Sequence, residues 1–87
     1  MRKRILLYGD TSFGGAKYFA QQIATLNGVR GFAKKDSQKI TVEAQANQDK
    51  LLKFVEQVSK GNQFFKVTKV EVADIEDVDG EKTFSIK

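Results

Sequence analysis

Gly9-Asp10-Thr11-Ser12-Phe13-Gly14-Gly15-Ala16-Lys17 is the stretch where this chain changes its hydrophobic period. Before it, Arg4 to Tyr8 is a compact apolar strand. After it, Ala16, Phe19, Ala20, Ile23, Ala24 and Leu26 recur at three- and four-residue spacing, the pattern of an amphipathic helix. A strand that breaks into a glycine-bearing loop and then opens a helix presents backbone N–H groups at the helix head, where an anion is readily held. Lys17 adds a cation just inside that helix. Two readings stand side by side: a cradle for phosphate or carboxylate running from Ser12 to Lys17, or a strand-to-helix turn capped by Thr11 or Ser12.

Working outward, Asn27-Gly28 ends the first helix as a C-cap pair. Residues Val29 to Lys35 are extended, with Phe32 and Lys34 on one face and Ala33 and Lys35 on the other; Phe32 reads as a core residue. Asp36-Ser37-Gln38 is a turn, and Ile40, Val42 and Ala44 then alternate with Lys39, Thr41 and Glu43 as a hairpin partner. Asn47 is the N-cap of a second helix carrying Leu51, Phe54, Val55 and Val58, and Gly61 stops it. Phe65, Val67, Val70 and Val72 mark a long strand with one out-of-step position that reads as a bulge. An acidic turn from Asp77 to Glu81 leads to a short final strand with Phe84 and Ile86. The order β-α-β-β-α-β with a short terminal strand predicts an α+β, ferredoxin-like sandwich: an antiparallel sheet with two helices on one face. No proline, linker or repeat interrupts it, so residues 1–87 are expected to form a single domain.

Composition removes whole classes of chemistry. The chain has neither cysteine nor histidine, so it has no thiolate site, no imidazole base and no Ser-His or Cys-His device. Neither a resident metal nor any other cofactor is expected. Asp74, Glu76, Asp77, Asp79 and Glu81 lack the spacing of a calcium loop and read as a solvated turn. The longest apolar run, Ile5 to Tyr8, is too short to span a membrane, and Arg2-Lys3-Arg4 is not followed by a signal-peptide core. The expectation is a cytoplasmic monomer. A net charge of +4, from 15 basic and 11 acidic residues spread along the chain, favours small anions rather than nucleic acid.

With this order in place, the chain resembles the acylphosphatase family over nearly its whole length. The family's signature, Gly-Arg-Val-Gln-Gly-Val-Gly-Phe-Arg, falls on Gly9 to Lys17, and Tyr18-Phe19 suits its aromatic continuation. Its second motif, Gly-Trp-Val-Arg-Asn, falls on Gly31-Phe32-Ala33-Lys34-Lys35. Lys39 to Ala44, Leu51 to Phe54, Val67 to Val72 and the ending Phe84-Ser85-Ile86-Lys87 resemble later family segments. The resemblance implies hydrolysis of acyl phosphates, with the phosphoryl group held by the amides of Ser12, Phe13, Gly14, Gly15, Ala16 and Lys17. It implies catalytic roles at the positions of Lys17 and Lys35, where the family carries arginine and asparagine.

Both replacements change the chemistry. Lysine offers one rotatable point charge in place of a planar fork that grips two phosphate oxygens. An amide donates and accepts, and so can aim a water at phosphorus, whereas the Lys35 ammonium only donates. Losing one positioned donor costs about 10²–10³ in rate. Asp36 cannot stand in by a one-residue slip, because strand neighbours point to opposite faces. Asp10 repels an anion unless it caps the loop's own amides, Gly14-Gly15 keeps the backbone open, and Phe13 is expected to fold back as a core plug. Much reduced or absent activity is therefore expected. The alternative is a non-catalytic module binding an anion or a protein. Arg30-Gly31-Phe32-Ala33 also resembles the opening of an RNA-recognition signature, but on the second strand, and Lys35 and Ser37 stand where its stacking aromatics belong.

Overall fold

Among the described residues, five strands and two helices follow one another as β1 (Arg2–Gly9), α1 (Gly15–Asn27), β2 (Arg30–Asp36), β3 (Lys39–Gln45), α2 (Gln48–Lys60), β4 (Val67–Ile75) and β5 (Phe84–Ile86). They come from a computed structural model that describes residues 1–9, 15–36, 39–61 and 65–87. The strands form one sheet in the order β4-β1-β3-β2-β5. The pairings are antiparallel except for β2 with β5. This is the ferredoxin-like order that the sequence predicts.

Strand alternation decides which face is buried. Ile5 and Leu7 of β1, Ala33 of β2, and Ile40, Val42 and Ala44 of β3 are fully buried on the helix-covered face. Ala16, Ala20, Ile23 and Ala24 of α1 and Leu51, Phe54 and Val58 of α2 close over them. The Phe54 ring also meets Phe84 of β5 at 5.9 Å between centroids, which ties the last strand to the core. Ala16, Ala20 and Ala24 of α1 share this core with Ala33 of β2.

Strand parity corrects the reading of Phe32, which pairs with Glu43 while its neighbour Ala33 takes the buried face beside Val42. The ring lies on the opposite, open face of the sheet, half-buried, with the Lys87 ammonium 4.1 Å from its centroid. Leu26 is also corrected: it is 79% exposed, roughly a quarter-turn away from the buried stripe of α1.

The helix ends behave as the sequence predicts. Gly28 has a φ of 68°, and its N–H and that of Val29 reach back to the carbonyls of Thr25 and Ala24, the paired bonds of a Schellman stop. Asn47 caps α2 by accepting the Lys50 N–H at 3.0 Å, and Gly61 closes it with a φ of 69°. The bulge is real and lies against the end of β1, where Tyr8 pairs with Lys69 but Gly9 pairs with Val67. Thr68 is the extra residue, and its hydroxyl donates to the Tyr8 carbonyl at 3.2 Å. Gly9 is needed there because a Cβ would collide with the Lys66 carbonyl.

The acidic turn is more than a solvated loop. Arg2 points to the open face and is only 2% exposed, because residues 76–83 cross over it. Its guanidinium donates to Glu81 at 2.8 Å, to Glu43 at 3.1 Å and to Gln45 at 3.1 Å. Gln45 in turn holds both the N–H and the carbonyl of Val78. The bond to Glu81, more than compensating for burial, holds the Arg2 pKa above its ordinary value.

Candidate functional site at the head of the first helix

Strand directions gather the site. With β3 antiparallel to both β1 and β2, the C-terminal ends of β1 and β2 lie at the same end of the sheet. The chain leaves β1 at Gly9 and re-enters regular structure at Gly15, so α1 also begins at that end. The first amides of α1, at Gly15, Ala16 and Lys17, have no partners earlier in the helix. Ala16 is buried against the core, Gly15 is exposed and Lys17 is half-buried. Ser12, Phe13, Gly14 and the capping candidates Thr11 and Ser12 lie outside the described residues, as does Asp10.

Lys35 falls in one row with Leu7 and Ile40, since Leu7 pairs with Ile40 and Ile40 with Lys35. This row belongs to the helix-covered face. Leu7 and Ile40 are fully buried, but Lys35 is exposed at the end of β2. Two strand spacings, roughly 10 Å, separate its backbone from that of Leu7. Lys35 therefore shares both a face and an end of the sheet with the head of α1. Among the described residues, neither Lys17 nor Lys35 has an ion-pair partner. Two positive charges thus stand at one end of the molecule, close to the partial positive end of a helix.

Asp36 is excluded from this group. The β2–β3 ladder runs without a register shift from Arg30 to Asp36, so Asp36 pairs with Lys39 on the open face. No bulge turns its carboxylate toward the helix side. Arg2, the most deeply buried charge described, belongs to the opposite end of the sheet, in the row with Gln45 and Arg30. Its network is structural, and sequence reading missed it because Arg2 sits in what looks like a plain basic start. The only advance signal is strand parity, which places Arg2 and Gln45 on the same side of the sheet.

Among the described residues the open face carries the aromatic rings of Tyr8 and Phe32, and each already has a lysine over it, Lys69 at 5.3 Å and Lys87 at 4.1 Å. Neither ring offers a bare platform for a nucleic-acid base. Among the described residues no group of acidic side chains is arranged to hold a metal ion, and no helix is long and apolar enough to cross a membrane.

The comparisons with known proteins bear on the family and the fold. The acylphosphatase family profile matches residues 3–86. An acylphosphatase from Clostridium acetobutylicum is 34% identical over 98% of this chain and 94% of its own length. The crystal structure of acylphosphatase from Bacillus subtilis superimposes with a TM-score of 0.90, 31% identity, and coverage of 99% of this chain and 97% of that one. An acylphosphatase from Coxiella burnetii shares the fold at a TM-score of 0.86 with 17% identity, covering 99% and 90% of the two chains.

Proposed function

This chain belongs to the acylphosphatase family, and we propose that it hydrolyses acyl phosphates slowly at the head of α1. The observation that carries this reading is the shared end and face of Lys35 and the helix head that bears Lys17. In this reading the amides from Ser12 to Lys17 and the Lys17 ammonium hold the phosphoryl oxygens. Water attacks phosphorus, the bond from phosphorus to the acyl oxygen breaks, and a carboxylate leaves. A carboxylate is stable at neutral pH without a proton, so the site needs no general acid, in keeping with a chain that has no histidine. What it does need is a positioned water and compensation for the charge on phosphorus.

Lys35 supplies charge but not positioning. Its ammonium attracts the anion, while it cannot accept a hydrogen bond from the attacking water. That favours binding over turnover. Benzoyl phosphate hydrolysis tests the reading. The wild-type rate should be low, K17A should lower it at least tenfold, and K17R/K35N should raise it by about 10²-fold. Equal turnover in the wild type and K17A would remove Lys17 from the mechanism. Phosphate binding without any turnover, in the wild type and in K17R/K35N alike, would leave the alternative of a non-catalytic anion module.

A further inference from the structure

β4 is an edge strand. Nine residues long, it pairs with β1 on one side, and no described strand lies on the other. Val72 on it is 45% exposed, although it stands opposite the fully buried Ile5. Unpaired edges are usually defended by charge, and here the charge is arranged with a symmetry of its own. Reading the strand as Val67-Thr68-Lys69-Val70-Glu71-Val72-Ala73, a cation and an anion flank Val70, paired with each other at 3.3 Å within the single chain. Lys69 and Glu71 both lie on the open face, opposite Tyr8 and Leu6 of β1, while Val70 and Val72 lie on the helix-covered face.

From this pattern we infer that β4 pairs antiparallel with β4 of a second copy of this chain, about a two-fold axis at Val70, joining the two five-stranded sheets edge to edge. Side-chain parity restricts the possible registers, because an antiparallel partner in a continuous sheet must keep each face on its own side. With the axis at Val70, Lys69 stands opposite Glu71 of the second copy and Glu71 opposite its Lys69. Val70 meets its own equivalent. Moving the axis to Lys69 sets lysine against lysine. Moving it to Glu71 sets glutamate against glutamate, and moving it to Val72 sets Asp74 against Val70. Of these parity-allowed registers, only the one centred on Val70 brings opposite charges together, and its two neighbours along the strand are both repulsive. The Thr68 bulge lies at the far end from Ala73 and limits the ladder to a short central segment. The expected dimer is therefore small, concentration-dependent and weakened by salt.

Sedimentation velocity over a range of protein concentrations, with circular dichroism as a control for folding, tests the inference. The wild type should pass from monomer to dimer, and the dissociation constant should rise at 0.5 M NaCl. K69E and E71K should each raise it by about tenfold or more, since each places like charges opposite at both symmetric positions. K69E/E71K should restore dimerisation. A mixture of the folded K69E and E71K variants should form a heterodimer, because every opposed pair is then of opposite sign. A wild type that stays monomeric at millimolar concentration would overturn the inference. So would variants that dimerise like the wild type, or a mixture that gains nothing.

Discussion

Arg2 shows how much one side chain's role depends on residues far away in sequence. It sits beside Lys3 and Arg4 in a basic start, yet its guanidinium is buried while Arg4 remains about half exposed on the same face. The difference is the crossover of residues 76–83, which Arg2 holds down through Glu81 and which Gln45 fixes through Val78. Removing the guanidinium would leave two carboxylates, at Glu43 and Glu81, without their common cation in a partly buried place. We expect R2A to lower the unfolding free energy by about 2–4 kcal/mol in equilibrium urea denaturation. A loss within the range of an ordinary surface substitution would show that the crossover is held by other contacts. Gly31 is a second residue whose role is non-local. Its φ of 148° and the nearness of the Glu43 carbonyl leave no room for a Cβ, so the glycine that opens the family's second motif is required by the β2–β3 ladder itself.

At the scale of single elements, local chemistry sets most of what is seen. The start of α2 depends on one side chain, Asn47, and Asp49 in the first turn complements the helix dipole. N47A should cost about 1 kcal/mol, read as a shift in the urea midpoint at unchanged slope. A change in slope as well would mean that the native state had loosened and not merely lost a cap. Both helix stops, the α2 stripe and the bulge in β4 were legible in the sequence, since each is written in residues within a few positions of one another. Leu26 and Phe32 were not. Hydrophobicity marks both for burial, but burial depends on where a facing element comes close, and that is decided by residues far off in the chain. On the open face, Glu71 is held below the ordinary carboxylate range chiefly by its bond to Lys69 and also by one to the Tyr8 hydroxyl. The contact with Lys69 is local to β4, whereas the one with Tyr8 arises from the β1–β4 register and could not be read from the β4 segment alone.

For the molecule as a whole, the question is whether the end of the sheet holding Lys35 and the head of α1 binds an anion at all. Binding to the folded state alone raises stability by mass action, about 1.4 kcal/mol at roughly ten times the dissociation constant. Inorganic phosphate should therefore raise the melting temperature above that in chloride of equal ionic strength, and K17A/K35A should abolish the difference. Identical melting in the two salts would argue against an anion site there. Membership of the family and the element order follow from the sequence by itself, because periodicity, caps and turns act over short distances along the chain. The sequence also shows that lysines occupy the two positions where the family carries arginine and asparagine. Only the tertiary structure decided that Lys35 shares a face with the α1 head, that Asp36 does not, that Arg2 is buried and that β4 is the outermost of the described strands on its side of the sheet. Each of these depends on strand order and register, which are set by pairings between residues distant in the chain.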